Sequence, residues 1–262
     1  MDQKRIINEF KELVSIEVHS RDERAIADVL KEKLTALGLT VTEDKAGEVL
    51  GGNTGNLYAQ FPGSTGGEPV LFSAHMDRVG NHGHIVPLVK EEEGKIVSDG
   101  TSILAGDDIG GVAAILAMLR EVKEKQIPHG PIEVAFSVCE ETGVEGSRQY
   151  DFSKFRSKSA FVYDASGKAG TIVLAAPSKG RVTIHVHGVT AHAGNEPEKG
   201  LNALKVAADL IMQLPDGRLS PVSTANFSII EAGSATNVVC DLVTITGEQR
   251  SRDAKEYQQI TA

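Results

Sequence analysis

The chain of 262 residues has no tryptophan, two cysteines (Cys139 and Cys240), no surplus of basic charge and no long apolar run. Each shortage excludes something. So few cysteines in so long a chain do not make a secreted disulfide scaffold, and a reducing compartment fits them better. Lysine and arginine number 27 against 36 aspartates and glutamates, a net charge of −9, so no electrostatic attraction to nucleic acid or anionic membrane is expected. The longest apolar stretch, Val112 to Leu119, falls far short of the roughly 20 residues of a spanning helix. The N-terminus, MDQKRIINEFKELVSIE, is charged and periodic with no apolar centre, unlike a signal peptide. These absences predict a soluble, cytoplasmic protein with neither nucleic acid nor membrane as partner.

Glycine, in contrast, is plentiful at 27 residues, roughly 10% against a usual value near 7%. At ~150 residues per domain the length allows one large domain or two modest ones, enough for a core without staples. Residues 3–14 place Ile6, Ile7, Phe10, Leu13 and Val14 on one helical face. Ser20 and Glu23 have the spacing of a capping box for a second helix, RDERAIADVLKEKLTAL, closed by Gly38. The runs LTVTE, GNLYAQF, PVLFSAH, PIEVAFSV and SAFVYD read as strands, and GGVAAILAMLREVKEK as a helix packed on a sheet. Strands alternating with helices predict an α/β sandwich with a mostly parallel sheet.

Composition shifts near Ala176–Pro177. Beyond it RVTIHVHG, KGLNALKVAADLIMQL, STANFSIIEAG and NVVCDLVTITGEQRS read as β-α-β-β, half of a ferredoxin-like α+β unit. The helix start AKEYQQITA follows, and the sequence reads as cut off within that unit. Residues 1–176 are therefore expected to form a catalytic α/β domain and 177–262 an incomplete inserted domain.

Acidic residues and one histidine stand at the strand ends. PVLFSA runs into His75 and Asp77, PIEVAFSVC into Glu140 and Glu141, SAFVY into Asp164, while Leu104-Ala-Gly leads to Asp107 and Asp108 just before a helix. Carboxyl ends of strands line the crevice of open α/β sheets. Carboxylates sharing one place repel each other unless cations are present. Imidazole with carboxylates and no cysteine suits zinc, manganese or cobalt, so a carboxylate-bridged metal pair is the expectation. Singly, each piece has a plain alternative: a structural HxD, a solvated acidic turn at Glu140-Glu141, helix N-caps at Asp107-Asp108 and a turn at Asp164. Their order in one chain is what favours a site.

The motifs SAHMDRV, SDGTSILAGDDIGG, FSVCEETGVEGS, VYDASG, AHAGNEPEKGLNAL and GSATNVV–TGEQRSRD give the chain its resemblance to the peptidase T-like two-zinc exopeptidases, relatives of carboxypeptidase G-type enzymes and aminoacylases. It runs from about Phe10 to Asp253. The resemblance implies an α/β/α catalytic domain with an inserted ferredoxin-like lid that forms a homodimer. It implies that His75 and Asp164 bind the first metal, that Glu141 binds the second and that Asp107 bridges both. Asp77 would orient His75, and Glu140 would be the general base toward the water the metals activate. His192 would donate to the oxyanion, often in the neighbouring subunit's site, while Asn237 and Arg250 would hold substrate backbone and carboxylate. The substrate would be a short peptide losing its N-terminal residue.

Ile109 departs from the family, where lysine or another polar residue is common, at a position that binds no metal. The family's downstream second-metal histidine and its Gly-Gly-x-Asp segment have no counterpart after Asp253. Two rival readings follow: an amide hydrolase acting on N-acyl amino acids, and a catalytically incomplete fragment that acts only in binding. Other histidines are expected to be bland: His82 and His84 in an exposed loop, His185 and His187 as packing or lid-interface residues, His19 and His129 in turns. Cys139 is expected to be a buried, inert thiol.

Overall fold

The computed structural model describes residues 2–80, 83–168 and 170–261, which include neither His82 nor its neighbour Asn81. The chain divides into two compact units, one up to Gly167 and one from Lys168 onward.

In the first unit, helix α1 (Gln3–Val14) starts at Asp2, whose carboxylate accepts the N–H groups of Lys4 at 3.0 Å and Arg5 at 3.3 Å. It buries Phe10, Leu13 and Val14 and leaves Ile6 and Ile7 half-buried. Helix α2 (Arg24–Leu37) buries Ile26, Ala27, Leu30 and Leu34 and stops at Gly38, whose φ of +98° is the left-handed turn that glycine adopts without strain. The expected capping box is absent: Ser20 and Glu23 make no side-chain bond to the start of α2, because both are turned inward to partners far along the chain.

Strand β1 (Thr40–Glu43), the short α3 (Ala46–Leu50), β2 (Leu57–Phe61) and β3 (Val70–His75) follow. A hairpin of β4 (Pro87–Lys90) and β5 (Lys95–Ser98) precedes α4 (Gly106–Glu124), then β6 (Ile132–Ser137) and β7 (Ser159–Val162). The main sheet has the order β1-β2-β6-β3-β7. β1, β2 and β6 pair antiparallel, whereas β6, β3 and β7 pair parallel, so the sheet is mixed with its parallel part in the three strands that lead to acidic residues. Helix α4 buries Ile109, Val112, Ala113, Ile115, Leu116 and Leu119, and forms the core with β3, α1 and α2. Gly111 lies so close to Asp108 and Tyr163 that a Cβ there would fall 2.3 Å from the Asp108 carboxylate. β7 is exposed along its length, including Phe161 and Val162.

The second unit is an antiparallel sheet, order β8-β11-β10-β9, from β8 (Ser178–His187), β9 (Gly217–Arg218), β10 (Ser223–Ala232) and β11 (Leu242–Ser251). Helices α5 (Ala203–Ile211) and α6 (Ala254–Thr261) complete it, and Ala203, Ala207, Val243 and Ile245 form its small core. The two-residue β9 has no apolar pattern and is not legible in the sequence. His185 and His187, expected as packing or lid-interface residues, are exposed on β8, which leaves the packing alternative unmet; His185 Nδ1 lies 3.2 Å from Thr244 Oγ1. No helix among the described residues is long and apolar enough to cross a membrane.

Candidate metal centre

The parallel register sets the site. His75 lies beside Ser137 across β3 and β6, and Ser73 lies beside Val162 across β3 and β7. Residues just past these strands therefore emerge side by side. The pairing continues beyond the strands: Met76 N–H donates to the Ser137 carbonyl at 2.8 Å, and Tyr163 N–H to that of Ser73 at 2.9 Å. Asp77, Glu140, Glu141 and Asp164 are thus delivered to one end of the sheet, and the start of α4 adds Asp107 and Asp108.

His75 is 2% exposed. Its Nδ1 lies 2.9 Å from the backbone carbonyl of Asp77 and 3.3 Å from Asp77 Oδ1, while Nε2 lies 3.0 Å from Asp107 Oδ1 and 4.0 Å from Glu140 Oε2. Acceptors on the Nδ1 side fix the tautomer and aim Nε2 at the carboxylates. Burial disfavours a charged imidazole, but the bond to Asp77 and the charges of Asp77 and Asp108 outweigh it and push the pKa up to about 10.

Asp77 is fully buried, and its oxygens do more than face the imidazole. Oδ1 accepts Glu140 N–H at 3.0 Å; Oδ2 accepts Glu141 N–H at 3.1 Å and the Ser20 hydroxyl at 2.6 Å. Burial opposes its charge, yet His75, Ser20 and the Glu140 amide hold its carboxyl below the usual range. Behind it the Cys139 N–H donates to Glu23 Oε1 at 3.0 Å. Cys139 is buried with a left-handed φ of +51°, and burial followed by the Glu23 charge pushes its thiol up to about 12, in keeping with an inert residue.

Glu140, Glu141 and Asp164 form the opposite electrostatic class. Burial first, then the neighbouring carboxylates including Asp107, holds all three above their ordinary values. Asp107 and Asp108 are not N-caps: the residue before α4 is Ala105, with no side-chain cap bond, and both aspartates have non-helical backbone in the first turn. Asp107 is exposed toward His75, whereas Asp108 is buried, accepts His75 N–H at 3.2 Å and is pushed by burial up to about 8. Asp108, Ser20 and Glu23 bond to the His75 amide, to Asp77 and to the Cys139 amide, contacts that the sequence did not mark; adjacency to Asp107 was the one signal for Asp108.

Donor atoms of His75, Asp107 and Glu141 lie within 4.8 Å of one another, as do those of His75, Glu140 and Asp164. Such a set suits divalent cations: Nε2 stands 3.0 Å from an Asp107 oxygen, imidazole nitrogen and carboxylate oxygens are donors such ions accept, and the raised carboxyls are the groups a cation would ionise. Glu140 and the four expected ligands, His75, Asp107, Glu141 and Asp164, all belong to this cluster.

The remaining expected site residues lie in the second unit. His192 is exposed, and its Nδ1 accepts the N–H groups of Gly194 at 3.1 Å and Asn195 at 3.2 Å. That leaves the ring proton on Nε2, where it can be donated. Asn237 is brought next to it, its carbonyl accepting Ala193 N–H at 2.9 Å. Arg250 lies on β11, with Nε bonded to Glu248 at 2.7 Å.

Residues 56–194 match the model of peptidase family M28, and residues 177–262 match that of the peptidase dimerisation domain. The YqjE protein of Bacillus subtilis (strain 168) is 39% identical over 251 residues, 96% of this chain and 67% of its own length. The structure of aminopeptidase PepT from Bacillus cereus ATCC 10987 superposes with a TM-score of 0.91 at 40% identity, over 100% of this chain and 70% of that one. A tripeptidase from Staphylococcus aureus gives 0.94 at 36%, over 99% of this chain and 69% of that one. The chain thus spans about two thirds of the length of these relatives. On these matches, over a mixed α/β sheet and a separate antiparallel unit, the chain belongs to the peptidase T-like family of metallopeptidases.

Proposed function

We propose that this chain carries the metal-binding and substrate-clamping parts of a cytoplasmic two-metal aminopeptidase that releases the N-terminal residue of short peptides, tripeptides among them. The observation that carries the reading is the convergence of one imidazole and four carboxylates at the end of the β6-β3-β7 sheet, in trios of donor atoms within 4.8 Å. The aminopeptidase and tripeptidase among its relatives support the substrate class. Free thiols at Cys139 and Cys240 support the reducing compartment.

In this reading His75, Asp107, Glu141 and Asp164 hold two divalent ions, zinc in preference to cobalt or manganese. Bound there, the ions supply Lewis acidity toward a carbonyl and lower the pKa of water. Glu140 takes the proton of the attacking water and returns it to the leaving amine; a carboxyl held above its usual range by burial and by Asp164, Asp77 and Asp107 is suited to both transfers. Asp77 keeps the His75 ring in one tautomer and grips the Glu140 and Glu141 amides, so base and ligand move together. His192 donates Nε2–H to the carbonyl oxygen as charge develops on it. Asn237 holds the substrate backbone, and Arg250 takes its carboxylate, a planar fork meeting two oxygens. Residues 1–176 act as the catalytic domain and 177–262 as the lid and homodimer contact, a division supported by the dimerisation-domain match.

The test is metal content per chain after dialysis against trace zinc, with release of the first residue from a tripeptide bearing a free or an acetylated amine. Two ions falling to one or fewer in Asp164→Ala, with cleavage of the free-amine peptide alone, are expected. At most one ion, unchanged in Asp164→Ala, would remove the two-metal reading. Hydrolysis of the acetylated peptide alone would transfer the chain to the amide hydrolases of N-acyl amino acids.

A further inference from the structure

Ser20 and Glu23 have capping-box spacing, yet neither caps α2. Glu23 is fully buried and sends Oε1 to the amide of Cys139, 116 residues away. Ser20 sends its hydroxyl 57 residues away to Asp77 Oδ2 at 2.6 Å. Both side chains make contacts at the back of the acidic centre in place of a local helix cap. The consequence is a continuous row. Three successive amides, of Cys139, Glu140 and Glu141, each donate to a buried carboxylate, the first to Glu23 and the next two to Asp77, which Ser20 holds in turn. The row begins at the left-handed backbone of Cys139, a conformation that persists in a non-glycine residue when its surroundings hold it.

We propose that Ser20 and Glu23 are positioning residues for the metal centre: from the segment between α1 and α2 they brace the Cys139–Glu141 turn, and thereby set where the Glu140 and Glu141 carboxylates stand relative to His75. The inference rests on the reading above, in which those carboxylates serve bound metal. Neither residue belongs to the two trios of candidate donor atoms. The required property at Glu23 is an acceptor at Oε1 rather than a charge, so glutamine at this position keeps the brace, whereas methionine, similar in length but without that acceptor, removes it. Alanine at Ser20 frees one side of Asp77 and leaves the Glu23 contact in place.

The experiment titrates cobalt(II) into the wild-type chain, Glu23→Gln, Glu23→Met and Ser20→Ala, following the visible absorption of the bound ion. Hydrogen exchange of the peptide spanning residues 138–142 is measured in parallel, and circular dichroism confirms folding. Supporting-residue changes at metal sites commonly weaken affinity 10–100-fold, so about tenfold weaker binding is expected for Glu23→Met and Ser20→Ala, and a change within about twofold for Glu23→Gln. Exchange at the 139–141 amides should speed up in the first two variants and not in the third. Folded Glu23→Met with wild-type cobalt affinity and wild-type exchange would overturn the proposal. If Glu23→Met does not fold, Ser20→Ala decides: unchanged affinity and exchange there overturn it equally. Should the wild-type chain bind no cobalt, the proposed function fails by itself, and the exchange comparison still decides whether the brace exists.

Discussion

Strand β6 leads from one buried glutamate near its start, Glu133, to a pair just past its end, Glu140 and Glu141, and the two regions treat a carboxylate in opposite ways. Glu133 accepts the Tyr58 hydroxyl at 2.8 Å, the amides of Arg156 at 3.1 Å and Ser157 at 3.0 Å, and the Ser157 hydroxyl at 2.5 Å. Burial opposes its charge, but these donors more than offset it and hold the carboxyl below the usual range. At the other end, burial is joined by carboxylates rather than donors, and Glu140 and Glu141 are held above it. A buried acid ringed by donors is part of the fold, tying β2 and β6 to the 155–158 loop. Acids facing other acids carry an electrostatic cost that a cation or a proton must relieve, which is the signature of a site rather than of a scaffold.

The sharpest way to break this contrast is to remove one glutamate from each end. Glu140→Ala should lower peptide turnover by about 10²–10⁴ while metal content stays at the wild-type value, as expected for lost acid–base catalysis. Near-normal turnover in steady-state assays would end the role assigned to Glu140. Glu133→Ala should do the reverse in kind: a loss of roughly 3–5 kcal/mol in urea unfolding, because buried donors are left without an acceptor, with turnover per folded molecule retained. A loss under about 1 kcal/mol would show that water replaces the carboxylate there.

A smaller effect follows from pH. The folded-state pKa of Glu133 lies below its unfolded value of about 4.3, so its contribution to stability is present above that value and is lost as pH falls through the folded one. Wild type and Glu133→Gln should therefore differ in unfolding midpoint at neutral pH and converge in acid. A gap that widens below pH ~4 would contradict the donor account. The smallest expected change in stability is that of Arg250→Ala. Arg250 and Glu248 are both partly exposed at the surface, and such ion pairs contribute about 0–1 kcal/mol. If Arg250 holds the substrate carboxylate, the same variant should raise KM about tenfold for want of a charge-assisted bond. An unchanged KM would leave it a surface ion pair.

Much of this was legible without coordinates. The apolar spacing of Phe10, Leu13 and Val14, the stop at Gly38 and the branched-residue runs before His75, Glu140 and Asp164 are local patterns, and local patterns place helices and strands. The directions of strand pairing were less accessible: β1 and β2 turn the sheet from parallel to mixed, which their own residues do not encode. Asp107-Asp108 read equally well as helix caps, and only the fold separates an exposed Asp107 beside His75 from a buried Asp108 beneath it. Ser20 and Glu23 misled for the same reason, since their spacing satisfies a local rule while their actual partners lie 57 and 116 residues away.

What the sequence determined by itself was therefore the inventory and its order: which segments become strands, and which histidine and acids stand at their ends. Apolar periodicity and turn residues act over a few positions, and a linear reading reaches that far. Tertiary structure alone decided which of those acids meet donors and which meet one another. Desolvation and Coulomb repulsion depend on distances between segments, and folding is what brings those segments together.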